Sequence, residues 1–235
     1  MYNVGSNLVL GFHGCDQVVC ETLLNNPNRI RISRESFDWL GHGMYFWENN
    51  YARAWDWARY KYERGEINSP AVIGAVLDLG YCCDFLSTEH IEMFKDSYKK
   101  LFDLYKASNK VLPKNKNLRE DKHKDKLLRE MDCVVIEHMC EDIIEQMEND
   151  LTVHGFTKHK LPDSVRGAFL EDSPAFEGSG IYEKTHIQIA IRNPNCIKGF
   201  FLPRRERISL NSDRDIGDIS DNGFFVSEPR IPYNA

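Results

Sequence analysis

Short apolar runs flanked by Gly, Pro, Asn or Asp recur along the chain and predict strands over residues 8–13, 43–47, 71–79, 133–136, 165–170, 186–192 and 196–202. Between them, helical spacing of apolar positions predicts helices over 15–24, 51–64, 90–107 and 126–147. Strands and helices do not alternate one for one, and the strand runs are half-apolar rather than continuously so. The pattern therefore predicts an α+β fold of antiparallel sheets with helices attached, not a doubly wound parallel sheet.

Three of the runs carry polar groups on one face. In 8–13, alternation sets Leu8, Leu10 and Phe12 against Val9, Gly11 and His13, and the second side is expected to be the open one. His13 lies between Gly11 and Gly14, so a ligand can approach it closely; an ordinary strand-end histidine fits the same pattern. In 43–47, Gly43, Tyr45 and Trp47 share a face while Met44 and Phe46 point to the core. Tyr45 could offer its ring to a planar ligand or simply pack. In 186–192 three isoleucines define a buried face, opposite His186, Gln188, Ala190 and Arg192, which read as a solvated outer face. Asn193-Pro194-Asn195 then turns the chain into 196–202, as in a hairpin.

Composition narrows the class. The 235 residues are 42% hydrophobic, 28% charged and 11% aromatic, the balance of a folded chain of one or two domains. A net charge of −6 disfavours a protein that clamps nucleic acid over its whole surface. Residues 95–129 stand apart: twelve Lys or Arg against five acids give +7, leaving −13 on the rest. Such a run reads as a solvated helical face bending at Leu112-Pro113, or as a phosphate-attracting patch beside a site. The opening residues lack a secretory pattern and no apolar stretch is long enough for a membrane span, so a cytoplasmic location is expected. Seven cysteines without a C-x-x-C pair suggest reduced thiols. His138 with Cys133 and Cys140 matches no standard metal spacing, and no metal is expected. Residues 209–235, rich in Ser, Asn, Asp and Gly, suggest a loosely packed C-terminal segment.

His13-Gly14 at a strand end, Gly41-x-Gly43-x-Tyr45-Phe46 after a loop, and a late strand running into Asn193-Pro194-Asn195 together resemble the poly(ADP-ribose) polymerase-like ADP-ribosyltransferases. The resemblance spans roughly residues 8–202, with no matched motif over 81–162. It implies a catalytic domain over 1–208, interrupted at about 84–162 by a helical, partly basic insertion. It also implies a split antiparallel β-sandwich around a cleft that holds bent NAD as co-substrate. His13 would bond a ribose hydroxyl, the Gly14 backbone would hold the nicotinamide carboxamide, and Tyr45 would stack on nicotinamide. A second aromatic from the following helix falls by count at Asp56, between Trp55 and Trp57, and Trp57 is taken. The family's catalytic glutamate aligns with Gln188, which supplies no negative charge and cannot act as a general base. Either Gln188 only orients the ribose, or Glu171, Glu177 or Glu183 substitutes, or catalysis is lost. The activity implied is single ADP-ribose transfer to a macromolecule, with the basic run leaning toward a nucleic-acid acceptor over protein. By analogy with compact toxins and defence effectors, an antitoxin or inhibitor protein is a further expected partner, and a membrane is not. An NAD glycohydrolase or a non-catalytic NAD or ADP-ribose module are the alternatives.

Overall fold

In the computed structural model, which describes residues 8–117 and 123–204, seven strands form one sheet. Along the chain run β1 (Leu8–Asp16), α1 (Gln17–Asn25), β2 (Met44–Glu48), α2 (Tyr51–Glu63), β3 (Pro70–Asp78) and β4 (Cys82–Asp84). They are followed by α3 (Thr88–Ala107), α4 (Glu130–His154), β5 (Ser164–Phe169), β6 (His186–Ile191) and β7 (Ile197–Phe201). The expected α+β class holds. The spatial order is β4-β5-β6-β2-β1-β3-β7, with every pair antiparallel except β4 and β5. The expected segment 209–235 lies outside the described residues.

The sheet is narrowest in its middle. β1 pairs with β3 from Leu8↔Asp78 to Asp16↔Pro70, yet with β2 only at Gly11↔Glu48 and Phe12↔Trp47. The half β4-β5-β6-β2 is thus joined to the half β1-β3-β7 through two residue pairs. The next residue of β1 is His13.

Each face has its own packing. Cys20 and Leu23 of α1 close over Met44, Phe46, Ile73, Leu77, Ile189 and Ile191 on one side. On the other, Ile136, Met139, Cys140 and Ile143 of α4 pack on Leu40, Val165 and Ala190, while Ala54 of α2 meets Trp47 and Val72. Glu137 fixes α4 to both neighbours: its carboxylate pairs with Arg192 at 2.5 and 3.0 Å and accepts from the His42 backbone N–H at 2.8 Å.

Four expectations are corrected. Leu8 and Leu10 are exposed, and it is the side of Val9, Gly11 and His13 that turns inward, because the bare α-carbon of Gly11 makes room for Leu77 and Phe46. The polar face of β6 is not solvated: His186 and Ala190 are buried and Arg192 is held by Glu137. Residues 133–136 are helical, since Cys133, Ile136, Cys140 and Ile143 follow the period of α4, which ends at a left-handed Gly155 (φ 73°). Residues 193–195 do not make a hairpin; a 3-10 turn at Pro194–Cys196 sends β7 to pair with β3, not β6.

Gly14 is a packing requirement. A Cβ there would lie 2.1 Å from the backbone oxygen of Ala54 in α2, which cannot rotate away. Gly14→Ala is expected to cost about 1–3 kcal/mol in chemical denaturation. Gly199→Ala, where a Cβ meets nothing within 4 Å, should leave stability nearly unchanged.

Candidate functional site

His13 sits where the β1–β2 ladder stops, and its ring replaces the missing rung. Nδ1 lies 2.7 Å from the Tyr45 carbonyl oxygen. A carbonyl only accepts, so Nδ1 carries the hydrogen and Nε2 keeps a lone pair. Burial lowers the imidazole pKa to about 4, so the ring is neutral near pH 7. Gly14 follows, with α2 flush against it and its carbonyl accepting from Lys61 Nζ at 3.2 Å. The same ammonium lies 5.7 Å from the Trp57 ring centroid and acts electrostatically on His13. Lys61, whose own pKa burial lowers, therefore ties His13, Gly14 and Trp57 into one neighbourhood.

Tyr45 meets His13 through its backbone, not through its phenol. The hydroxyl donates to the Gly41 carbonyl and accepts from the Leu40 N–H, both at 2.9 Å. Its ring packs with the α4 cluster, whereas His13 lies 5.8 Å from Phe46 on the opposite face. Burial, with the nearby Asp38 charge, raises the phenol pKa well above its ordinary value. Gln188 is paired to Trp47 of β2 and Gly167 of β5. Its Oε1 accepts from Trp39 Nε1 at 2.5 Å. An indole N–H only donates, so the oxygen of Gln188 is fixed toward Trp39 and its NH2 is the free end. Trp57, 41% exposed, stacks on Tyr60 with centroids 5.6 Å apart and lies 6.2 Å from Trp47.

A cluster that the sequence did not suggest surrounds Gln188. His186 is 6% exposed; its ring stacks on Phe169 at 5.5 Å and lies 6.3 Å from Trp47. Its Nδ1 donates to the Lys184 carbonyl at 2.6 Å, and burial together with the charges of Arg53 and Arg129 lowers its pKa to about 4. The Arg129 guanidinium covers Phe169 at 3.8 Å and Trp39 at 5.0 Å. Arg53 pairs with Glu171 at 2.6 Å, and burial raises the Glu171 pKa despite that partner. Two buried donors, Trp47 Nε1 and Arg53 Nε, have no hydrogen-bond partner. Of the three candidate carboxylates only Glu171 is drawn inward; Glu177 and Glu183 are exposed. The alternation of β6 did mark His186, but Trp39, Arg53 and Arg129 come from loop and helix positions with no shared periodicity.

No family model, curated protein or solved structure matches this chain. Among the described residues no group of three or more His, Cys, Asp or Glu gathers to hold a metal, and no helix is long and apolar enough to cross a membrane. The seven cysteines are unpaired, and burial raises the pKa of each, to about 12 for Cys15, Cys83 and Cys133. Part of the basic run is neutralised locally: Lys95, Lys99, Lys100 and Lys116 pair with Glu92, Asp96, Asp142 and Glu130. Arg119 and Lys122 lie outside the described residues.

The two neutral histidines give stability a defined pH dependence. Both fall from 6.5 when unfolded to about 4 when folded, so the unfolded chain binds protons first. Their contribution is complete above pH 6.5 and is lost as pH falls toward 4. Urea midpoints should drop across that window, and replacing His13 by Gln together with His186 by Phe should flatten the drop.

Proposed function

We propose that this chain is a mono-ADP-ribosyltransferase of the poly(ADP-ribose) polymerase-like kind, using NAD as co-substrate and a macromolecule as acceptor. The observation that supports this best is the arrangement of His13, Tyr45 and Gln188. Residues up to 175 positions apart in sequence stand on three adjacent strands, β1, β2 and β6, beside the seam where the two half-sheets separate, with Tyr45 and Gln188 on one face of the sheet and His13 on the other. On this reading the dinucleotide lies bent across the seam of the single sheet, so that groups from both faces contribute to its site.

The chemistry follows from the hydrogen-bonding capacity of each group. His13 Nε2, an acceptor, suits a ribose hydroxyl. Gln188 presents its NH2, a donor, to a ribose oxygen, because Trp39 holds its oxygen. It orients the sugar but neither removes a proton nor offsets the positive charge that develops as the nicotinamide bond breaks. A nucleobase amine or ring nitrogen, which attacks before losing its proton, is the acceptor that asks least of such a site. The residual basic charge of 95–129 agrees with a nucleic acid, while an inhibitor protein remains an expected partner and the cytoplasm the expected location.

Incubation with NAD labelled in its adenylate, together with RNA, DNA and protein, tests the reading. Nicotinamide release with label on a macromolecule supports it; free ADP-ribose alone marks a glycohydrolase, and saturable binding without release marks a binding module. His13→Ala should lower kcat/KM for NAD by about a hundredfold, ~3 kcal/mol. Gln188→Glu keeps an acceptor for Trp39 and adds the missing charge, so nicotinamide release should rise by about tenfold or more.

A further inference from the structure

Two adjoining cavities open between the C-terminal half of α3 and α4, and no strand residue lines either. The larger, about 840 Å³, is bounded by Asp103 and Leu104 on one side and by His138, Asp142 and Glu145 on the other. The smaller, about 330 Å³, shares Leu104 and His138 and adds Glu137 and Glu141. Together they form a trough along α4 from Val134 to Asn149, about 22 Å of helix. Its charge is one-sided. α4 carries eight acidic residues and no lysine or arginine. Five carboxylates line the trough against Lys100 and Lys110. Arg192 takes up Glu137 and Lys100 takes up Asp142, but Asp103, Glu141 and Glu145 have no ion pair among the described residues. His138, common to both cavities, keeps its Nε2 buried without a hydrogen-bond partner, 3.8 Å from the Asp142 carboxylate and so beyond hydrogen-bond reach. Buried polar groups are normally satisfied, so the trough is incomplete in the free chain.

What completes it must be cationic, elongated and partly apolar. Leu104 is 54% exposed and Ala107, one turn on, is exposed as well, so the trough offers an apolar strip beside its carboxylates. A single small cation would leave most of the space empty, and among the described residues no group gathers to hold a metal. A nucleic acid is repelled by the charge. An α-helix with its side chains is about 10–12 Å across, and about four of its turns span 22 Å. We propose that the α3–α4 trough is a docking surface for a basic amphipathic helix of a partner protein. The apolar face of that helix rests on Leu104 and Ala107, and its Lys or Arg side chains pair with Asp103, Glu141 and Glu145. In the tautomer that carries its hydrogen on Nδ1, His138 accepts an N–H from such a cation at Nε2. The surface stands independently of the reading as an NAD-using enzyme.

Fluorescence anisotropy on the full chain tests it with two synthetic peptides of identical Leu and Lys composition. In one the leucines recur at helical spacing and share a face; in the other the order is scrambled. The first should bind at least about tenfold more tightly. Raising the salt from about 0.05 to 0.3 M should weaken it by about tenfold. The combined change Asp103→Asn, Glu141→Gln and Glu145→Gln should weaken it by about tenfold, and Leu104→Ser by a similar factor. Glu21→Gln, Glu63→Gln and Glu66→Gln together, the same change of charge at exposed positions elsewhere, should leave binding unaltered. All seven positions are exposed, so unfolding transitions should not move. A wild type that binds neither peptide or both alike, or a trough triple variant that binds as the wild type does, overturns the docking surface. So does displacement by equimolar spermidine, which assigns the trough to a small polycation, or dimerisation that the trough triple variant abolishes, which assigns it to a second copy of the chain.

Discussion

The molecule is organised around an interrupted ladder. Two residue pairs join the half-sheets, and then the strands part, leaving the Tyr45 carbonyl without a backbone partner on β1. The His13 imidazole fills that gap. Because a buried carbonyl must be satisfied, the bond does two things together: it secures the separated edge, and it fixes the tautomer of the histidine. A longer β1–β2 ladder would free the ring but close the seam. The acceptor capacity at Nε2 therefore follows from the same geometry that parts the sheet.

Much of the fold was legible because β2, β3 and β5 are short apolar runs bounded by Gly, Pro, Asn or Asp, and β6 alternates cleanly. The errors share a cause. Period alone identifies two faces but not what covers them, and α4, separated from β6 by more than thirty residues, buries a face that reads as outer. For β1 the missing information was that Gly11 is a contact surface for Leu77 and Phe46. Residues 133–136 misled because four apolar residues in a row fit either period, and only the longer window distinguishes them.

The site was partly legible. His13, Tyr45 and Gln188 were read as strand residues from motifs that depend on strand ends and turns, and it is the structure that makes their strands neighbours. Their hydrogen-bond partners were not foreseeable, because Trp39 lies in an irregular segment and Arg129 just before a helix. Tyr45 illustrates the limit: its position in a glycine-bracketed strand was readable, but not that its hydroxyl would close the Gly41 turn and turn its ring toward α4.

Glu137 gives α4 a reach beyond packing. One carboxylate holds both the guanidinium at the end of β6 and the backbone of the glycine-bracketed turn that anchors Tyr45. A molecule gripping α4 from outside would thus pull on the end of β6 and on the turn that enters β2, without ever touching the seam itself.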